Sequence, residues 1–162
     1  MIRLAATEDL PRIHEIYAHA RSYMERTGNP TQWGNFYPPA DMLADDIEKK
    51  QLFVYTENGE VHGVFAFIIG EDETYLEIED GAWLNDAPYG AIHRVASSGT
   101  VRGVFSQCIA FCKGQISDLR IDTHQDNTKM QRLIESEGFV RCGIIYVLER
   151  SPRIAYHYTP AK

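Results

Sequence analysis

The sequence predicts an α/β (α+β) fold: a mixed, mostly antiparallel central sheet of about seven strands with helices on both faces. Three observations predict it. Residues 52–57 and 61–69 are dense in Val, Phe and Ile and flank Asn58-Gly59, a strong hairpin turn signal, so an antiparallel run is expected there. Downstream, residues 92–113 and 119–137 each read as a strand feeding an amphipathic helix, the pattern of β-α units. With 162 residues the chain has the length of one domain with a sizeable core, and it carries no internal repeat, low-complexity tract or linker, so residues 1–162 are expected to fold together.

Taken in order, residues 2–6 read as a short strand. Thr7-Glu8-Asp9 then supplies a cap and early acidic groups for a helix whose stripe is Leu10, Ile13, Ile16, Tyr17, Ala20 and Met24. Thr27-Gly28-Asn29-Pro30 stops it. Residues 29–39 form a loop rich in aromatics and prolines. A second helix runs from Pro39 or Ala40 to Lys49, with Met42, Leu43 and Ile47 facing inward. After the hairpin, residues 74–78 read as another strand. Residues 79–90 hold Gly81, Asn85-Asp86 and Pro88, which predict a loop or a bulged continuation.

The chain is organised around residues 92–113. A strand at 92–96 passes through the small-residue turn Ser97-Ser98-Gly99-Thr100 into a helix with apolar residues at 101, 104, 105, 108, 111 and 112. The first amides of a helix lack intrahelical partners and carry partial positive charge, so such a turn can hold an anion; an ordinary strand-turn-helix link capped by Ser or Thr fits the same residues. Residues 119–123 are a short strand. Asp126 or Asn127 caps a helix that buries Met130, Leu133 and Ile134 and ends at Gly138. Residues 140–148 and 154–158 close the sheet around Arg150-Ser151-Pro152. The order is β-α-α-β-β-β-α-β-α-β-β.

Composition removes several functions. A net charge of −7 argues against a nucleic-acid partner, which would call for a basic patch, and it mildly favours a cationic acceptor. No apolar run approaches membrane-spanning length, so no membrane partner is expected. The first residues lack the apolar stretch of a signal peptide and the three cysteines are an odd number, which predicts a reducing, cytoplasmic setting. The six histidines show no ligand spacing and neither HExxH nor CxxC occurs, so no metal is predicted. Ser97-Ser98 lacks the context of a nucleophile elbow.

Three local signatures resemble the GCN5-related N-acetyltransferase (GNAT) family. Val95-Ala96-Ser97 followed by Arg102-Gly103 sits where that family has an apolar strand end and a Gln/Arg-x-x-Gly-x-Gly/Ala phosphate loop. Asn127-x-x-Met130-x-x-Leu133, ending in Gly138-Phe139, is similar to the family's Asn-x-x-Ala-x-x-Leu-Tyr-x-x-x-Gly-Phe. The opening Arg3-Leu4-Ala5 with Thr7-x-Asp9-Leu10 is shared by many members. The resemblance spans essentially the whole chain. It departs at Phe105 and Gln107, where glycine or alanine is usual, and at Ile134, where many members have a tyrosine that protonates the leaving thiolate.

The resemblance implies a GNAT-like domain that transfers an acetyl group from acetyl-CoA directly to a primary amine of a small molecule or peptide. Val95, Ala96 and Ser97 would meet the pantetheine and thioester, with a backbone amide at Val95 as oxyanion donor. Arg102, Gly103, Val104, Phe105, Ser106, Gln107 and Cys108 would hold the pyrophosphate. Asn127 would bond the pantetheine, or cap its helix, or both. Asp122 is the leading general base, with His93 and Glu79 as weaker candidates near the acceptor. Trp33 and Tyr37, with Phe36, would shape the acceptor pocket or plug the helices, and Trp83 and Tyr89 would form an opposite wall. A homodimer is common in the family. The competing implication is a degenerate GNAT-like domain that binds acyl-CoA as a ligand or sensor without transfer.

Overall fold

The computed structural model describes residues 1–147 and 150–160. Seven strands form one sheet: β1 (Ile2–Leu4), β2 (Leu52–Glu57), β3 (Glu60–Ile69), β4 (Tyr89–Ser97), β5 (Asp118–Thr123), β6 (Val140–Val147) and β7 (Ser151–Tyr158). Four helices accompany them: α1 (Leu10–Arg26), α2 (Ala40–Glu48), α3 (Val104–Lys113) and α4 (Thr128–Ser136). The spatial order is β1-β2-β3-β4-β5-β7-β6. Every pairing is antiparallel except β4 with β5. The expected mixed, mostly antiparallel sheet of seven strands is therefore the observed one.

Period-two alternation divides the sheet into two buried faces. Leu52, Val54, Val64, Ala66 and Ala96 pack with Ile13, Ile16 and Tyr17 of α1 and Leu43 of α2. Phe65, Phe67, Ile92, Ile121 and Tyr156 pack with Phe105, Cys108, Ile109 and Cys112 of α3 and Ile134 of α4. A smaller third cluster joins Tyr75 and Tyr89 to Ala91, Ile145 and Ala155 under the long loop before β4.

Several expected bounds shift for local reasons. Residues 74–78 are not a strand. The Asp72 carboxylate accepts hydrogen bonds from the Thr74 amide and hydroxyl at 2.9 and 2.6 Å and winds Glu73–Tyr75 into a 3₁₀ turn. β4 begins at Tyr89 rather than 92, because residues 89–92 pair in parallel with 118–121 of β5. β1 stops at Leu4, and β7 begins at Ser151 where a turn was expected. α3 begins at Val104, behind a left-handed Gly103, so its buried face is Val104, Phe105, Cys108, Ile109 and Cys112, and Val101 precedes it. Residue 148, the expected end of the sixth strand, lies outside the described residues.

Candidate active site

The parallel pairing of β4 with β5 ends at Ile92 and Ile121. Beyond it β4 continues five residues along β3, while Asp122 and Thr123 continue along β7. The two central strands therefore part, and one backbone edge of each faces the opening. β4 is also bulged there: Val64 pairs with Ala96 and Ala66 with His93, so Arg94 and Val95 share the single partner Phe65. Arg94 takes a left-handed backbone, φ 55°, uncommon for a non-glycine residue. Two buried contacts hold it: Tyr17 Oη donates to Arg94 O at 2.7 Å, and Arg94 Nη2 donates to Asp46 Oδ2 of α2 at 2.7 Å.

A cavity of about 660 Å³ opens at this parting. Its floor is His93, Arg94 and Val95 of β4 with Asp122 and Thr123 of β5. The loop after α1 supplies Thr31, Gln32, Trp33 and Tyr37 as one wall. Asp72 and Thr74 stand opposite, and Ser151 and Arg153 of β7 close the side. Strict strand alternation would put His93 and Val95 on one face and Arg94 on the other; with the bulge all three line the same cavity.

Four charged groups in this cavity differ in their partners. Asp122 is half-buried, and desolvation of its carboxyl raises its pKa above the ordinary value; the nearby charges of His93 and Arg153 and a 2.7 Å hydrogen bond from Tyr75 Oη to Oδ2 only partly offset this. Among the described residues Oδ1 has no such partner. For Asp72, burial also works upward, but hydrogen bonds from His93 and Thr74 outweigh it and bring its pKa down to about 2. Arg94 is neutralised by Asp46. Arg153 is 8% exposed and donates to Ser151 Oγ, Pro152 O and Gln32 O, with no ion-pair partner among the described residues. Burial lowers its pKa, and the charge of Asp122 works the other way. Thr123, also on the cavity lining, has a buried Oγ1 with no hydrogen-bond partner among the described residues.

Beyond Ser97 the chain turns through residues 98–103 into α3. Ser98 N donates to His62 O, and Ser98 Oγ lies 3.0 Å from His62 Nδ1, so the turn is tied to β3. Gly99 and Gly103 have φ of 82° and 74°, and space is open in front of Gly103. The amides of Val104, Phe105 and Ser106 lie in the first turn of α3 and point out of its N-terminus, beside the exposed Arg102. These groups fit a diphosphate. Further along, the Gln107 amide already donates to Gly103 O, and Cys108 is fully buried, so neither is placed to meet a phosphate. Phe105 packs into the core, and Ser106 Oγ donates to Glu137 Oε2, which leaves their amides. Asn127 caps α4: its Oδ1 accepts from Met130 N at 3.1 Å, while its Nδ2 donates to Gln32 at 3.0 Å beside the cavity.

Some expected residues lie elsewhere. Glu79 is exposed on the outer edge, accepting a bond from Tyr146 and bridging Ile144 through its backbone, so it does not reach the cavity. Trp83 and Tyr89 do not form its far wall. They stack on the two sides of the Arg120 guanidinium, at 4.1 and 4.0 Å. Phe36 is 85% exposed, whereas Trp33 and Tyr37 do line the cavity. Asp72, Tyr75, Thr123 and Arg153 were not singled out from sequence; each sits on a segment whose position depends on long-range pairing.

No protein-family model matches the chain, and comparison with curated proteins returns no match. Solved structures do match. A GNAT-family acetyltransferase from Streptococcus agalactiae 2603 is 31% identical, with a TM-score of 0.89 over 100% of this chain and 96% of that one. The chain belongs to the GNAT family. More distant solved structures share the fold. Ribosomal-protein-alanine N-acetyltransferase from Brucella melitensis is 16% identical, with a TM-score of 0.65 over 98% of this chain and 99% of that one. The yncA protein of Salmonella typhimurium, solved with its cofactor acetyl-CoA, is 18% identical, with a TM-score of 0.61 over 100% and 94%. The parted central strands, the bulge at Arg94 and the turn into α3 build the candidate site of this GNAT chain.

Proposed function

We propose that this chain is an N-acetyltransferase that moves the acetyl group of acetyl-CoA to a primary amine by direct attack. The observation that carries the reading is the parting of β4 and β5, which brings the Asp122 carboxylate, an open strand edge and the cavity together. The acetyl-CoA held by the Salmonella relative supports the choice of cosubstrate. Acetyl-CoA supplies an activated thioester.

The chain's own groups then have distinct tasks. Arg102 and the amides of Val104, Phe105 and Ser106 hold the diphosphate, where backbone geometry matters more than side-chain identity. The open edge of β4 from Val95 to Ser97 pairs with the pantetheine arm as a strand would, and Asn127 and Gln32 border it. The Val95 amide donates to the carbonyl oxygen where negative charge develops. An ammonium cannot attack, so a base must take its proton; Asp122 Oδ1 does so, and its raised pKa brings it nearer the working pH. Tyr75 fixes the carboxylate through Oδ2. Ile134 is buried in the core and cannot protonate a thiolate. A thiol pKa near 8.5 lets the thiolate leave as the anion.

The test is thiol release from acetyl-CoA with a panel of primary amines. Asp122→Asn should lower kcat by about 10²–10⁴-fold, the range for loss of a general base, with acetyl-CoA affinity kept. An Asp122→Asn enzyme as fast as the parent would remove Asp122 from the mechanism. Tight acetyl-CoA binding with no release on any amine would favour an acyl-CoA sensor.

A further inference from the structure

Resting on the acetyltransferase reading, the geometry points to an acceptor that carries a carboxylate beside its amine, an amino acid or a close analogue, with Arg153 as the residue that holds the acid group.

A cation removed from water is costly unless something opposite in charge is near it. Two of the four charged groups on this cavity have an ionisable partner of opposite type within bonding distance: Arg94 has Asp46, and Asp72 has His93, whereas Asp122 is bonded only by the Tyr75 hydroxyl. Arg153 is as buried as they are, yet its hydrogen-bond partners are neutral, one hydroxyl and two backbone carbonyls, and the charge of Asp122 reaches it only from beyond ion-pair distance. Among the described residues no carboxylate forms an ion pair with it. Its remaining donor capacity faces a cavity, and a guanidinium matches a carboxylate through two parallel hydrogen bonds.

Position supplies the rest. Asp122 pairs with Ala155 across β5 and β7, so Arg153, two residues along, is its diagonal neighbour on the same face. Such neighbours stand about 7–8 Å apart at the backbone. The two side chains do not bridge each other. A ligand with an ammonium and a carboxylate spans that gap with each end on the opposite charge, and it delivers its nitrogen to Asp122. The bond from Arg153 to Gln32 O also ties the acid pocket to the loop that carries Trp33, an apolar wall for the ligand's side chain. A polyamine, which the chain's net charge would favour, would set a second ammonium against Arg153.

Matched acceptor pairs test this. Amino acids are compared with their own amides by thiol release, and by calorimetric titration onto the protein–CoA complex. The parent should prefer the acid by roughly 10–100-fold in kcat/KM or affinity, the worth of a hydrogen bond to a charged group. Arg153→Gln should erase that preference by weakening the acid while leaving the amide unchanged, and Arg153→Lys should restore part of it. A merely structural Arg153 would lower both members of each pair equally. That result, or equal use or equal lack of binding of acid and amide by the parent, would overturn the inference. Turnover of amines without acid preference would sink only the acceptor assignment, whereas failure to bind acetyl-CoA would sink the acetyltransferase reading beneath it.

Discussion

Arg94 and Asp46 lie 48 residues apart in sequence and form a buried ion pair at 2.7 Å. The pair fastens the left-handed bulge of β4 to α2, and the bulge is what turns His93, Arg94 and Val95 toward one cavity. Asp46 is 3% and Arg94 11% exposed at the side chain, so removing one partner strands a charge. Asp46→Asn is expected to cost about 3–5 kcal/mol in urea unfolding. The double variant Asp46→Leu/Arg94→Met should recover much of that. A loss below about 1 kcal/mol for the single variant would show that the pair does not hold the bulge.

Asp122 sets function against stability. Its folded pKa is raised by burial, so its contribution to stability is complete below the unfolded value and is lost as pH rises through the folded value. Asp122→Asn removes that loss and should melt no lower than the parent near pH 7, with the advantage shrinking toward about pH 4. The same shift puts the acid limb of the parent's kcat/KM profile above the ordinary carboxylate range. Thermal melts across pH and the rate profile check the two halves separately.

Asp72 has the opposite sign. Its pKa of about 2 means that its contribution is present above the unfolded carboxylate value and disappears as pH falls from there through about 2. Asp72→Asn gives up the charge-assisted bond to His93 and is expected to cost about 1.5–3 kcal/mol at neutral pH. The difference from the parent should close on acidification, as followed by chemical denaturation at several pH values.

The start of α3 packs tightly on Gly63 of β3: a Cβ there would collide with Val104 Cγ1. Gly63→Ala therefore wedges the first residue of α3 outward. The expected loss is about 1–3 kcal/mol, the usual range for overpacking. Acetyl-CoA should also bind more weakly, because the displaced turn carries the Val104, Phe105 and Ser106 amides. Unchanged affinity with reduced stability would separate the turn from cofactor binding.

Local chemistry made much of the fold legible. Asn58-Gly59 marked the β2–β3 hairpin, Asn127 marked the start of α4 through its cap, and α1 and α2 followed their apolar stripes. Residues 74–78 read as a strand, but the Asp72 side chain bonds locally and makes a turn instead, a competition that the residue types at 74–78 do not register. The site was legible only in part. Trp33, Tyr37, His93, Val95 and Asp122 do meet at one cavity. Arg153 and Asp72 reach it because β7 inserts between β5 and β6 and the loop before β4 folds back, and neither event has a local signature. The Arg94 bulge is likewise set by partners far away in sequence.

On the proposed reading the turn from β4 into α3 holds acetyl-CoA at the parted strands. Calorimetric titration of acetyl-CoA into the protein and into Arg102→Glu tests it most directly. The account predicts micromolar binding by the parent and a loss of roughly tenfold or more in the variant, whose exposed reversed charge repels the diphosphate. No binding at millimolar acetyl-CoA by a protein shown to be folded would contradict it.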